Sequence, residues 1–73
     1  MTKASEIQVG GSHYKDMPMQ PVDFIVANGI PFLEGNVIKY VCRHLHKGGV
    51  EDLRKARHYI DLVLEKVYEV SEV

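Results

Sequence analysis

Residues 37–56 read Val37-Ile38-Lys39-Tyr40-Val41-Cys42-Arg43-His44-Leu45-His46-Lys47-Gly48-Gly49-Val50-Glu51-Asp52-Leu53-Arg54-Lys55-Ala56. The paired glycines divide this stretch into two helical patterns. Upstream of them, Leu33, Val37, Tyr40, Val41 and Leu45 recur at i, i+4, i+7, i+8 and one further turn, the stripe of an amphipathic helix opened by Pro31. Lys47-Gly48-Gly49 ends it, with a cation at the negative end of the dipole and glycine free to adopt positive φ. Glu51 and Asp52 stand where acids favour a helix start. The stripe Leu53, Ala56, Ile60, Val63, Leu64 and Val67 then carries a helix of about 20 residues, or roughly 30 Å, to about Val70. A link of three or four residues between the two makes them an antiparallel helical hairpin, spanning about 32–46 and 51–70.

Outward from this hairpin the chain becomes simpler. Pro21 suits a first helical turn, and a short helix runs from it through Val22, Phe24, Ile25 and Val26. Asn28-Gly29 stops it, since both residues tolerate the left-handed conformation. Residues 1–20, with Gly10-Gly11, Ser12 and Pro18, hold no sustained period. The expected architecture is all-α and a single domain over 1–73. Residues 1–20 form an irregular ligand-covering segment, and 21–73 are helical.

Seventy-three residues leave no room for a second domain, and a chain of this size buries only about 60% of its unfolded surface. Apolar residues at 45% still support a core, and assembly into a homo-oligomer is the simplest way to enlarge it. Leu62, Tyr68 and Val70 lie off the main stripe of the last helix and point to that partner subunit. The single cysteine, Cys42, forms no internal disulfide and suits a reducing compartment. No apolar run approaches the roughly 20 residues of a membrane span, and the N-terminus lacks a signal-peptide core. The expectation is a cytoplasmic protein that does not engage a membrane. P-loop, dinucleotide-fingerprint and zinc-finger spacings are missing, which excludes enzymes built on them.

Charge is close to balanced at −1 but is unevenly placed. Within 39–58, Lys39, Arg43, Lys47, Arg54, Lys55 and Arg57 stand against Glu51 and Asp52 alone. A local basic patch in a neutral chain fits a small anionic ligand better than a long nucleic acid, whose binders carry a domain-wide basic excess. Asn36, Lys39, Tyr40, Arg43 and Lys47 lie along one side of the second helix. Asp52, Lys55 and Tyr59 share a stripe on the third. Together they can form a groove in which arginine clamps a phosphate, lysine adds charge, tyrosine offers a face to a base and asparagine reads a base edge. The competing reading of the same residues is structural: an Arg43–Asp52 ion pair with Tyr40 and Tyr59 as amphipathic edges of the core.

A second cluster is Gly10-Gly11-Ser12-His13-Tyr14-Lys15. Its consecutive amides can form an anion-binding nest, to which His13, Tyr14 and Lys15 add donors and a stacking ring. A flexible turn is the alternative for a glycine-serine run. The ligand reading has Gly11, Ser12, His13, Tyr14 and Lys15 close over what the hairpin holds. The histidines His13, His44, His46 and His58 show no metal-ligand spacing, Cys42 reads as a packing residue, and Glu51-Asp52 is explained by a helix start. Neither a metal, a cofactor nor a catalytic residue is expected.

The order of these motifs resembles a family of small tailed-phage proteins described as SaV-like or nucleotide-kinase-like. The matching segments are Val9 to Lys15, Met19 to Ile25, Glu34 to Arg43 and Lys47 to Ala56, and the resemblance extends over about residues 8–65. It implies a phage origin and a compact helical domain that binds a nucleotide inside an infected bacterium. One relative looks like a kinase of deoxynucleoside monophosphates without a P-loop. Other small helical phage proteins resembling this chain act as oligomeric sponges for the cyclic-nucleotide signals of bacterial immunity. The asparagine–lysine–tyrosine–arginine helix is also similar to a reduced all-helical nucleotide pyrophosphohydrolase, whose clusters of metal-binding acids this sequence lacks. The leading expectation is sequestration of a cyclic oligonucleotide, an anti-defence role. A nucleotide kinase and a protein-binding inhibitor of a host factor are the alternatives.

Overall fold

The computed structural model describes residues 17–71. They form three helices, and no strand occurs among them: α1 (Pro21–Ala27), α2 (Phe32–Arg43) and α3 (Gly49–Lys66). The first helix begins on the buried ring of Pro21, and the Gln20 carbonyl accepts the N–H groups of Asp23 and Phe24 at 3.0 and 3.3 Å. It ends as its sequence predicts. Gly29 takes φ 60°, its N–H bonds to the Val26 carbonyl, and the Ile30 N–H reaches back to Ile25, which is the double bond of a Schellman ending. Ile30 is thereby folded under α1 beside Ile25, and both line the cavity between α1 and α2.

Close approach of α1 to α2 depends on Gly35, which is buried. A Cβ there would stand 3.3 Å from Cγ2 of Ile25, tighter than ordinary contact. The 35th residue therefore decides how near the short helix can lie.

Contacts between α2 and α3 run in opposed sequence order. Arg43 meets Asp52, Tyr40 meets Tyr59, and Glu34 and Val37 share a cavity of about 290 Å³ with Ile60, Val63 and Leu64. Three boundaries differ from expectation. The second helix ends at Arg43 instead of reaching residue 46, and the third covers Gly49–Lys66, starting before Glu51 and stopping short of Val70. The link is therefore five residues, 44–48, rather than three or four.

The two boundaries that flank the link have a local cause. The Asp52 side chain, only 1% exposed, accepts from the Gly48 N–H at 2.9 Å and from Arg43 Nε at 3.1 Å. This draws the link inward around one carboxylate, as the acid half of a capping box does. The chain therefore leaves α2 one turn early, with His46 and Lys47 N–H groups both on the Arg43 carbonyl. Leu45, 79% exposed, makes too little apolar contact to hold another helical turn in place. At the far end, α3 closes through Tyr68 N–H to Val63 and Val70 N–H to Leu64, with Glu69 at φ 59°.

The apolar stripes are less covered than their spacing implies. Ala56 is the one fully buried apolar side chain among the described residues apart from Pro21, and Leu53, Ile60, Leu64 and Val67 all remain exposed. Val41 on α2 and Leu45 in the link are exposed as well. Of the residues expected to form a second face, Leu62 and Val70 are half-buried and Tyr68 is 69% exposed. Two helices packed on a single contact line leave their outer flanks open, whatever the stripe predicts.

Two outcomes follow. Arg43→Ala strands the buried Asp52 carboxylate, and urea denaturation is expected to show a loss of about 3 kcal/mol. Gly48→Ala puts a methyl group into the Asp52 carboxylate. The expected cost is about 1–3 kcal/mol, read as a melting temperature lowered by roughly 4–8 °C per kcal/mol.

Candidate functional site

Tyr40 stands at the centre of the basic cluster. It lies on α2 one turn before Arg43, and the ion pair that joins Arg43 to Asp52 brings its ring against Tyr59 of α3. The two rings stack with centroids 5.9 Å apart and planes 16° from parallel. Three cations surround the Tyr40 ring: Lys39 Nζ at 4.8 Å, Arg43 Cζ at 5.4 Å and Lys55 Nζ at 5.4 Å from its centroid. Each lies within the roughly 6 Å over which an aromatic quadrupole attracts a cation. The α2 residues Lys39 and Arg43 flank Tyr40 by helical geometry, at i−1 and i+3. Lys55 arrives from α3, one turn before Tyr59.

The electrostatics of this arrangement are uneven. Asp52 neutralises Arg43, while Lys55 has no ion-pair partner among the described residues. A cavity of about 380 Å³ opens beside the ring pair, lined by Tyr40, Glu51, Arg54, Lys55, His58 and Tyr59. His58 meets Tyr59 edge-on at 6.2 Å between centroids. The site thus offers stacked phenol rings with one ammonium, one guanidinium and one imidazole on the same side, and one carboxylate that could order a hydroxyl. That donor set can hold a phosphate and the π-face of a base.

Of the residues singled out in the sequence, Lys39, Tyr40, Arg43, Lys55 and Tyr59 come together. Arg43 does so in the structural manner, bonded to Asp52 with its side chain 20% exposed. Asn36 lies one turn from Tyr40, but its Nδ2 donates to the Phe32 carbonyl at 2.9 Å within its own helix. It belongs instead to a different cavity, of about 310 Å³, shared with Pro21, Ile25, Ile30 and Gly35. Lys47 sits in the link after α2 and lines neither cavity. Gly11, Ser12, His13, Tyr14 and Lys15 lie outside the described residues.

Sequence reasoning missed Arg54 and His58. They stand beside Lys55 on α3, at i−1 and i+3, and lie off the stripe that runs through Asp52, Lys55 and Tyr59. The apolar α1–α2 cavity was missed as well. Its signal was Pro21 and Pro31 bracketing a short helix that ends in a glycine turn.

Among the described residues no group of three or more histidine, cysteine or acidic side chains converges as a metal site, and no helix is long and apolar enough to cross a membrane. No curated protein and no protein of solved structure matches the chain. A family described as a protein of unknown function, DUF3310, matches residues 8–61, which takes in α1, α2, the 44–48 link and most of α3. All residues of the Tyr40 site fall inside that span, so the chain, with the ion pair and the ring cluster it carries, belongs to the DUF3310 family.

Proposed function

We propose that this protein is a phage nucleotide-binding protein of the SaV-like type that sequesters a cyclic oligonucleotide immune signal in the cytoplasm of an infected bacterium. The observation that supports this most is the crowding of Lys39, Arg43 and Lys55 around one tyrosine ring that is itself stacked on a second. Arg43 is already paired to Asp52, whereas Lys55 has no ion-pair partner among the described residues, and an anion placed beside Lys55 answers that charge. A phosphate attached to a planar base answers both halves of the site.

In this reading α2 and α3 act as an antiparallel hairpin, and several hairpins assemble. A cavity of about 380 Å³ falls at the small end of ligand pockets, roughly 300–1,000 Å³. It accommodates part of a cyclic oligonucleotide, and further copies of the chain supply the remainder. Binding requires only charge and stacking, both of which the Tyr40 cluster offers. Phosphoryl transfer asks in addition for positioned acids and room for two nucleotides. The ligand set comprises Lys39, Tyr40, Arg43, Lys47, Lys55, Tyr59 and Asn36, with Gly11 to Lys15 of the N-terminal segment.

Calorimetric titration against mononucleotides and cyclic di- and trinucleotides, followed by heating to recover the ligand, separates the classes. A sponge returns its cyclic ligand unchanged. Consumption of ATP with a deoxynucleoside monophosphate identifies a kinase instead, and silence across the whole panel leaves the protein-inhibitor reading. Lys55→Ala is expected to weaken binding by about 10-fold or more, the range of one charge-assisted hydrogen bond, at an unchanged urea midpoint. Arg43→Ala is expected to lower stability and binding together, because it removes the Asp52 anchor as well. Removing residues 1–15 should leave the helices folded and weaken nucleotide affinity.

A further inference from the structure

The outer flank of α3 carries two parallel stripes whose order along the helix is informative. The first is apolar and exposed: Leu53, Ile60, Leu64 and Val67, with Ile60 47% and Val67 56% accessible. Leu53 and Val67 stand seven residues on either side of Ile60, and Ala56 and Leu64 four on either side. At 1.5 Å per residue this stripe is about 21 Å long. The second stripe runs along its outer edge, away from α2, and is charged. Arg54 and Arg57 occupy the end nearer Gly49, and Asp61 and Glu65 the end nearer Lys66. These four recur at i, i+3, i+7 and i+11, one face of a helix.

None of Arg54, Arg57 and Asp61 has an ion-pair partner among the described residues, and Glu65 meets only the exposed Lys66 at 3.4 Å. Turned end for end, this surface matches itself. An antiparallel second α3 with its two-fold axis at Ile60 lays Ile60 on Ile60, Leu53 on Val67, and the basic half against the acidic half. In a dyad perpendicular to both helices the same edge of each meets, so the two charged stripes lie side by side along one edge of the apolar seam. A two-fold interface requires such self-complementarity. The other exposed apolar patch, Val22, Val26 and Phe32 around α1, carries only Asp23 and has no such pattern.

We infer that the chain forms a two-fold dimer through antiparallel α3–α3 packing centred on Ile60, with Arg57 of each copy paired to Asp61 of the other. Val41 of α2, also exposed, extends the apolar contact. The dimer covers the faces that a single copy leaves open and supplies the core that Ala56 alone does not. It leaves the Tyr40–Tyr59 site uncovered, since Lys55 and Tyr59 lie on the opposite flank of α3. This inference rests on the self-association in the functional proposal and specifies its geometry.

The test combines mass measurement with cross-linking. In a Cys42→Ser background, Ile60→Cys is expected to oxidise to a covalent dimer, because a residue on the two-fold axis meets its own copy. Ile60→Glu is expected to raise the dimer dissociation constant by about 100-fold or more, read by analytical ultracentrifugation with helicity checked by circular dichroism. Arg57→Glu and Asp61→Arg each weaken the dimer by about 10-fold, and the double variant restores it. An oligomer that survives Ile60→Glu, and in which Ile60→Cys does not cross-link, overturns this geometry but leaves self-association standing. A wild-type chain that stays monomeric at tens of micromolar overturns both, and nucleotide titration of the same sample judges the binding site independently.

Discussion

One buried carboxylate organises this fold. Asp52 lies on the first turn of α3 and accepts from the backbone of Gly48 and the guanidinium of Arg43, so a single side chain joins the end of α2, the link and the start of α3. Burying a charge is costly unless it is both paired and hydrogen-bonded, and here both conditions hold. Glycine at position 48 leaves room for the carboxylate, which a Cβ there would meet. In a molecule whose helices bury little apolar area, this polar contact sets the register of α2 against α3.

The register in turn creates the chemistry. Arg43 held by Asp52 places Tyr40 one turn below, opposite Tyr59, and the stacked rings collect Lys39 and Lys55. Arg43 therefore serves the site chiefly through what it fixes, although its guanidinium also lies over the Tyr40 ring. Structural and ligand readings of Arg43 cease to be exclusive, because the anchor and the cation cluster share the residue. The groups that face the open cavity most directly, Lys55, Arg54 and His58, all come from α3. That helix presents cationic and aromatic groups on one flank and an apolar, charge-ordered surface on the other.

Reading helices from this sequence succeeded where local chemistry decides the outcome. Pro21, Asn28-Gly29 and Pro31 act within one turn of themselves, and α1 and the start of α2 follow them. The competing ion pair between Arg43 and Asp52 was also legible, since opposite charges flanking a glycine link have few other partners. The early end of α2 was not legible, because it depends on Asp52 pulling Gly48 inward from across the link. The early end of α3 was likewise hidden, as Val67, Tyr68 and Val70 continue the apolar pattern past the last helical hydrogen bond. Arg54 and His58 escaped notice because membership in a cavity depends on where Tyr40 of another helix reaches.

By itself the sequence determined the helical class, the three segments and the cluster of basic and aromatic residues, because periodicity, proline and glycine act over a few residues. Tertiary structure alone decided which flank of each helix is covered. Hydrophobic spacing marks a stripe that favours burial but does not say what buries it. Ile60 and Val67 have the same spacing as Ala56, and they stay open because α2 is too narrow to cover more than one line of α3. Contact across the 44–48 link likewise turned Asp52 from a residue that only favours a helix start into the anchor of the fold. Its partners approach through the folded chain, and sequence distance carries no record of that approach.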